Sequence, residues 1–172
     1  RYPGDSGLPT KVDWELPEGW EISAPLWPRP RRIPLPPLVN FGYDGSAVIG
    51  FRLKIPAGAN GAQELKAKAS WLVCKEECIP GGADLRFSLK VGEPKKNSWD
   101  HFSRLLREQP QPLPHGAFLS THIEGKRLGL RLDNDPAWLE GAVDFFPLQS
   151  EVITGAAPPV VEKGEGVVTL WL

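Results

Sequence analysis

Apolar and polar residues alternate with a period of two along several stretches of this chain, and that period marks a half-buried strand. Val12-Asp13-Trp14-Glu15-Leu16 is the first. Ser46-Ala47-Val48-Ile49-Gly50-Phe51-Arg52-Leu53-Lys54-Ile55, closed by Pro56-Ala57-Gly58, is the second. Glu64-Leu65-Lys66-Ala67-Lys68-Ala69-Ser70 sets lysine against apolar or small residues, then turns wholly apolar through Trp71-Leu72-Val73 to Cys74. After Pro80-Gly81-Gly82, the run from Ala83 to Val91 puts Leu85, Phe87, Leu89 and Val91 on one face. Two predicted strands therefore flank Cys74 and Cys78, which places the cysteines at one rim of a sheet.

From Gly92 to Gly116 the sequence is polar and ends rich in proline. Its centre carries Trp99, Phe102 and Leu106 at helical spacing with Ser98 as N-cap, which predicts one short helix stopped before Pro110. Strand patterns return at Phe118 to Ile123, at Arg127 to Leu132 after Glu124-Gly125-Lys126, at Val143 to Phe146 and at Val167 to Leu172. The opening stretch, Arg1 to about Pro37, is turn-rich, with Leu16-Pro17-Glu18-Gly19-Trp20 as one turn. Trp27-Pro28-Arg29-Pro30 and Pro34-Leu35-Pro36-Pro37 read as extended polyproline segments. They are either connecting loops or ligands for a proline-binding module, and the strand that resumes soon afterwards favours loops. The expected architecture is mainly β, in three parts. A β-sandwich over 1–92, incomplete at its N-terminus, carries the cysteines. A linker with a short helix covers 93–116, and a second β-sandwich-like unit covers 117–172, with its own last strands expected further on.

Composition narrows the function classes. The formal net charge is -1, from 20 basic and 21 acidic residues, so there is no electrostatic footprint for nucleic acid. No apolar run approaches the roughly 18 residues of a membrane span. The 19 prolines and 18 glycines favour short strands joined by punctuated turns over long helices. Methionine is absent, the chain starts at Arg1-Tyr2-Pro3-Gly4, and it stops on the apolar run Val167 to Leu172. These ends predict a piece of a longer protein, with any signal peptide or membrane segment outside it.

The candidate chemistry lies in the two cysteines, which stand in Trp71-Leu72-Val73-Cys74-Lys75-Glu76-Glu77-Cys78-Ile79-Pro80. On one strand, residues four apart lie about 13 Å apart, whereas a disulfide needs Cα atoms about 4.4–6.8 Å apart. The chain must fold back, or wind one helical turn, if the sulfurs are to meet. A loop this small gains little from chain entropy, and short-range pairs of that kind are often present for their chemistry, so the pair reads as a redox dithiol. A structural disulfide, a zinc site and two free buried thiols are the alternatives. Zinc needs about four ligands, and the other soft candidates, His101, His115 and His122, are scattered. Lys75 would stabilise a thiolate while Glu76 and Glu77 oppose it, and no histidine adjoins the pair. That suits a relay, opened by a partner's thiolate, better than an autonomous oxidant. Ser103 and Ser120 lack the turn of a nucleophile elbow. Glu76/Glu77 and Asp133/Asp135 read as solvated turn residues, and Phe145-Phe146 before Pro147 as core and strand end.

The run Trp71 to Gly81, followed by Ala83-Asp84-Leu85, resembles the active-site strand of the DsbD-like and ScsB-like thiol:disulfide interchange proteins. Tyr2-Pro3-Gly4-Asp5-Ser6-Gly7-Leu8-Pro9 and Leu16-Pro17-Glu18-Gly19-Trp20 are similar to motifs that precede it in that family. The segment Gly141 to Pro159, with Phe145-Phe146-Pro147 and Ala156-Ala157-Pro158, resembles the second periplasmic module of ScsB-type members. The resemblance implies tandem immunoglobulin-like β-sandwich units joined by a short helical linker. It also implies a periplasmic location in a parent anchored in the bacterial inner membrane.

By the same resemblance, Cys74 and Cys78 are the catalytic pair of a protein-disulfide reductase domain. They would take electrons from the transmembrane and thioredoxin-like C-terminal domains of the parent and pass them to thioredoxin-like periplasmic proteins. No cofactor and no metal is required. In the best-studied branch the two cysteines lie further apart in sequence, so which thiol attacks partners does not carry over. Family members shield the pair with an aromatic cap loop, and by order along the chain Asn40-Phe41-Gly42-Tyr43 is the candidate, with Phe41 and Tyr43 as the shielding rings. The alternative is that both are ordinary strand residues.

Overall fold

A computed structural model describes residues 2–75, 77–92, 99–133, 143–149, 152–153 and 157–172, and the side chains of 99–101 are not described. In chain order the first strands are β1 (Lys11–Glu15), β2 (Glu21–Ile22), β3 (Arg31–Leu35), β4 (Leu38–Gly42), β5 (Leu53–Lys54), β6 (Gly61–Cys74) and β7 (Cys78–Val91). One helix, α1 (Trp99–Glu108), precedes β8 (Phe118–Glu124), β9 (Arg127–Asp133), β10 (Val160–Gly164) and β11 (Val167–Trp171). The chain is mainly β, as the periodicity predicts. Among the described residues no helix is long and apolar enough to cross a membrane.

The central sheet has the antiparallel order β1-β6-β7, and β6 and β7 are each 14 residues long. Residues directly opposite share a face. Trp14 opposite Ala67, Ala67 opposite Leu85 and Leu65 opposite Phe87 make one face apolar. Leu65 and Ala67 are buried there, and the Trp14 ring meets Phe51 at 5.2 Å and Phe87 at 6.0 Å between centroids. The other face explains the alternating lysines: Asp13 stands opposite Lys68 and Glu15 opposite Lys66. Opposite charges directly across a ladder are mutually favourable.

Ser46 to Ile55 departs from the predicted strand. Only Leu53 and Lys54 join a ladder, with β2, and Gly50 makes a single bridge to Leu26. The facing segment contains Pro25, Pro28 and Pro30, which lack the backbone N–H that a longer ladder requires. The opposite correction applies to Pro34-Leu35-Pro36-Pro37. Rather than a polyproline loop, it is the end of β3 and the turn into β4, with Pro34 opposite Val39. Pro34 is tolerated because β3 has only one ladder neighbour, so its missing N–H can face the free edge.

The helix forms where helical spacing predicts it, but its buried position is Leu105, only 1% exposed, while Leu106 is 36% exposed. Leu105 Cδ2 fills the space that a side chain at Gly50 would need, and the carbonyl of Glu108 accepts from the Arg29 amide at 3.0 Å. The predicted cap, Ser98, and the side chain of Trp99 lie outside the described residues. Strands β10-β11-β9-β8 form the second sheet in that order, all antiparallel. Its core is Leu132, Val168 and Leu170, with Leu130, Val143 and Val161 against them. Val143 to Phe146 is not a strand. The Phe145 amide donates to the Asp144 carboxylate at 2.8 Å, and Pro147 follows with no N–H to give. Much of the segment 141–159, including Ala156, lies outside the described residues.

Candidate functional site

The chain solves the reach problem of Cys74 and Cys78 by folding back. The two cysteines close the β6–β7 ribbon, directly opposite each other with Cα atoms 4.1 Å apart, and are joined by a disulfide. The Lys75 amide donates to the Glu77 carbonyl at 3.2 Å across the tip, and both cysteines are exposed. Glu76 is outside the described residues. Among the described residues, no three His, Cys, Asp or Glu side chains gather as metal ligands.

Register fixes which way the backbone points near the disulfide. A Cα separation this short belongs to a non-hydrogen-bonded pair, in which the N–H and C=O of both residues point away from one another. Alternation gives Leu72, two residues earlier, the same orientation, and its opposite number is Pro80, which has no N–H to lose. Between these pairs Trp71 stands opposite Gly81, with its indole across the glycine. A Cβ at Gly81 would lie 2.5 Å from Trp71 Nε1, so a larger residue would have to displace the ring.

Trp71, Leu72, Val73 and Cys74 form one side of a groove of about 810 Å³. The structure also brings the sequence-predicted Phe41 and Tyr43 to line it. Phe41 lies within β4, only 8% exposed, and its amide donates to the Pro3 carbonyl at 2.9 Å. Tyr43 follows the strand; its hydroxyl donates to the Pro28 carbonyl at 2.9 Å, and its ring lies parallel to Trp27, 6.5 Å away. The Tyr2 to Ser6 motif holds β4 in place. The Asp5 carboxylate accepts from the Val39 amide at 2.9 Å, and Asn40 Oδ1 accepts from the Ser6 amide at 3.1 Å. Phe41 and Tyr43 thus share the lining of one groove with Cys74, while the disulfide itself is exposed.

Phe146 and Pro147, from far along the chain, supply a further wall. Phe146 meets Phe41 edge to face at 5.6 Å. Arg32 holds that segment with a fork: Nη2 donates to Asp144 Oδ1 at 2.7 Å and Nε to Oδ2 at 3.2 Å. Its guanidinium also lies 5.2 Å over the Phe41 ring. Sequence reasoning missed Arg32, Asp144 and the groove role of Phe146, and nothing local signals a pair 112 positions apart. Trp71 over Gly81 was in principle legible, because a tight hairpin between the cysteines fixes that register.

No curated protein matches the chain. Among solved structures, the N-terminal periplasmic domain of ScsB from Proteus mirabilis matches with a TM-score of 0.62 and 17% identity, over 99% of this chain and 66% of that one. The likeness is one of fold, and the chain spans a little under two thirds of that structure's length. The family model for the N-terminal region of the thiol:disulfide interchange protein DsbD matches residues 4–89, the stretch holding β1 to the cysteine ribbon. The chain belongs to the DsbD N-terminal family.

Proposed function

We propose that the chain is a periplasmic thiol–disulfide exchange module that relays electrons through Cys74 and Cys78. One observation carries this reading: the disulfide is exposed at the end of a ribbon, where Cys74 borders an aromatic groove. A disulfide that only clipped the ribbon would need neither exposure nor a groove. Family membership supports thiol:disulfide interchange as the chemistry and thioredoxin-like proteins as partners. The likeness to a periplasmic domain supports the location.

In the reducing direction, a thiolate of the reduced pair attacks one sulfur of a partner's disulfide. A mixed disulfide forms, and the partner's other sulfur leaves as a thiolate that takes up a proton. The second cysteine, as thiolate, attacks its neighbour's sulfur in the mixed disulfide. That step leaves Cys74–Cys78 oxidised and the partner a dithiol, two electrons and two protons having crossed. Recharging runs the same steps in reverse, from a thioredoxin-like or membrane-embedded donor within a parent anchored in the inner membrane. Phe41 and Tyr43 act as walls that screen the approach to Cys74. The module comprises immunoglobulin-like units over 1–92 and 117–172, joined by the 93–116 linker.

The reduction potential tests this directly, by equilibrating the protein in glutathione or dithiothreitol buffers and trapping free thiols. A potential of roughly -120 to -270 mV is expected, within the span of exchange proteins. A value below about -300 mV, where glutathione cannot open the bond, would reduce the pair to a structural clip and end the proposal.

A further inference from the structure

The long ribbon is paired unevenly. On its outer flank, β1 covers β6 only as far as Lys11 opposite Ser70. Beyond Ser70 the chain that leads into β1 leaves the ladder, and Leu8, Pro9 and Thr10 border the groove instead. Trp71 to Cys74 is thus a stretch of β6 with β7 on one side and the groove on the other. The backbone groups of Leu72 and Cys74 point to the groove side, and among the described residues they have no backbone hydrogen-bond partner there. Unpaired strand edges are templates for another strand. The opposite edge of the ribbon is blunted at the same height, because the position facing outwards there is Pro80, which has no donor.

We infer that the edge Trp71–Cys74 is a strand-addition site, on which a short extended segment of the redox partner lies in the groove and brings its cysteine to the disulfide. The inference rests on the exchange function proposed above and names what that site recognises. Backbone pairing with Leu72 and Cys74 would supply register, and the groove wall at Trp71, Val73, Phe41 and Phe146 offers apolar surface to the segment's side chains. Asp44 is the one charged residue among those lining the groove. The occupant is therefore an uncharged or basic extended segment with apolar residues around its cysteine. Acidic flanks would meet that carboxylate, and no basic residue is among those lining the groove.

The test uses the oxidised 172-residue chain and the synthetic thiol peptide acetyl-Thr-Val-Cys-Val-amide. Its thiolate attacks one sulfur of Cys74–Cys78; the old S–S bond breaks as the mixed disulfide forms, and the released thiolate takes up a proton. Two analogues are compared, each methylated on one alternate set of backbone nitrogens, with glutathione as the reference thiol. Strand addition requires only the set facing β6, so one analogue should slow about ten-fold, roughly the worth of one or two backbone hydrogen bonds, while the other keeps the parent rate. Separately, the serine version of the peptide, which cannot react, should slow amide hydrogen exchange at Leu72 and Cys74. Equal rates for the parent and both analogues, with no slowing at those amides, overturn the inference. If glutathione and the peptide alike leave the disulfide closed, the exchange function fails instead, and protection by the serine peptide still reports on the edge by itself.

Discussion

Arg32 and Asp144 are 112 positions apart in sequence and 2.7 Å apart in space. The two ends of this fork are not equivalent, since the Arg32 side chain is 11% exposed and that of Asp144 30%. Arg32 Nη1 is also buried without a hydrogen-bond partner among the described residues. Removing Asp144 therefore strands a guanidinium away from water, whereas removing Arg32 leaves a carboxylate that water can reach. Asp144→Ala is expected to destabilise the chain by about 2–3 kcal/mol. Arg32→Leu, which gives up the guanidinium over Phe41 but leaves no buried charge behind, should cost less. Urea midpoints for the two variants check the order, and equal losses would contradict it.

Gly81 is predicted to be sensitive because Trp71 lies against it. In Gly81→Ala the new methyl group must displace the indole, at a cost of about 1–3 kcal/mol. The Trp71 indole N–H resonance should move with it. Gly58→Ala, where nothing lies within 4 Å of the added carbon, is the control and should leave both stability and that resonance unchanged.

Serine at both Cys74 and Cys78 removes a cross-link that closes a very small loop. Chain entropy assigns such a loop about 2 kcal/mol, which for a chain of this size lowers Tm by roughly 4–8 °C. The far-ultraviolet circular dichroism of the double variant should match that of the parent. Failure to fold would mark the disulfide as structural.

Leu105 tests whether α1 is bound to the segment around Gly50 or merely follows it. Its side chain is 1% exposed against Gly50, so Leu105→Ala should cost about 2–5 kcal/mol. Leu106→Ala, on the 36% exposed neighbour, should cost well under half of that. Limited proteolysis should cut the 109–116 segment faster in the first variant only.

The ribbon was legible in sequence because its information is local. Lys66 and Lys68 alternate with Leu65 and Ala67, the far strand repeats the pattern, and the turn residues lie between. The Ser46 to Ile55 stretch shows the limit of that reading. Its own alternation is good, but a ladder also needs a partner with donors, and the prolines that deny it one sit 20-odd residues away. The β3–β4 hairpin failed for the converse reason: Pro34 and Pro36-Pro37 look like strand breakers until one knows they occupy a free edge and a turn. The groove was the least legible part. Phe41 and Tyr43 came from a family likeness, and the wall at Phe146 depends on a fork whose halves have no common local pattern.

The 14 register pairs of β6 and β7 end on the cysteines themselves. Opening the S–S bond therefore removes one rung at the end of a ladder that every lower rung still holds. The two sulfurs are expected to remain face to face in both oxidation states, like the prongs of a plug whose spacing is set by its body. Under the exchange function proposed above, a carrier built in this way would not need to record its oxidation state in its shape. It would dock with a donor and an acceptor through the same surface, and only the electrons would decide which way the traffic runs.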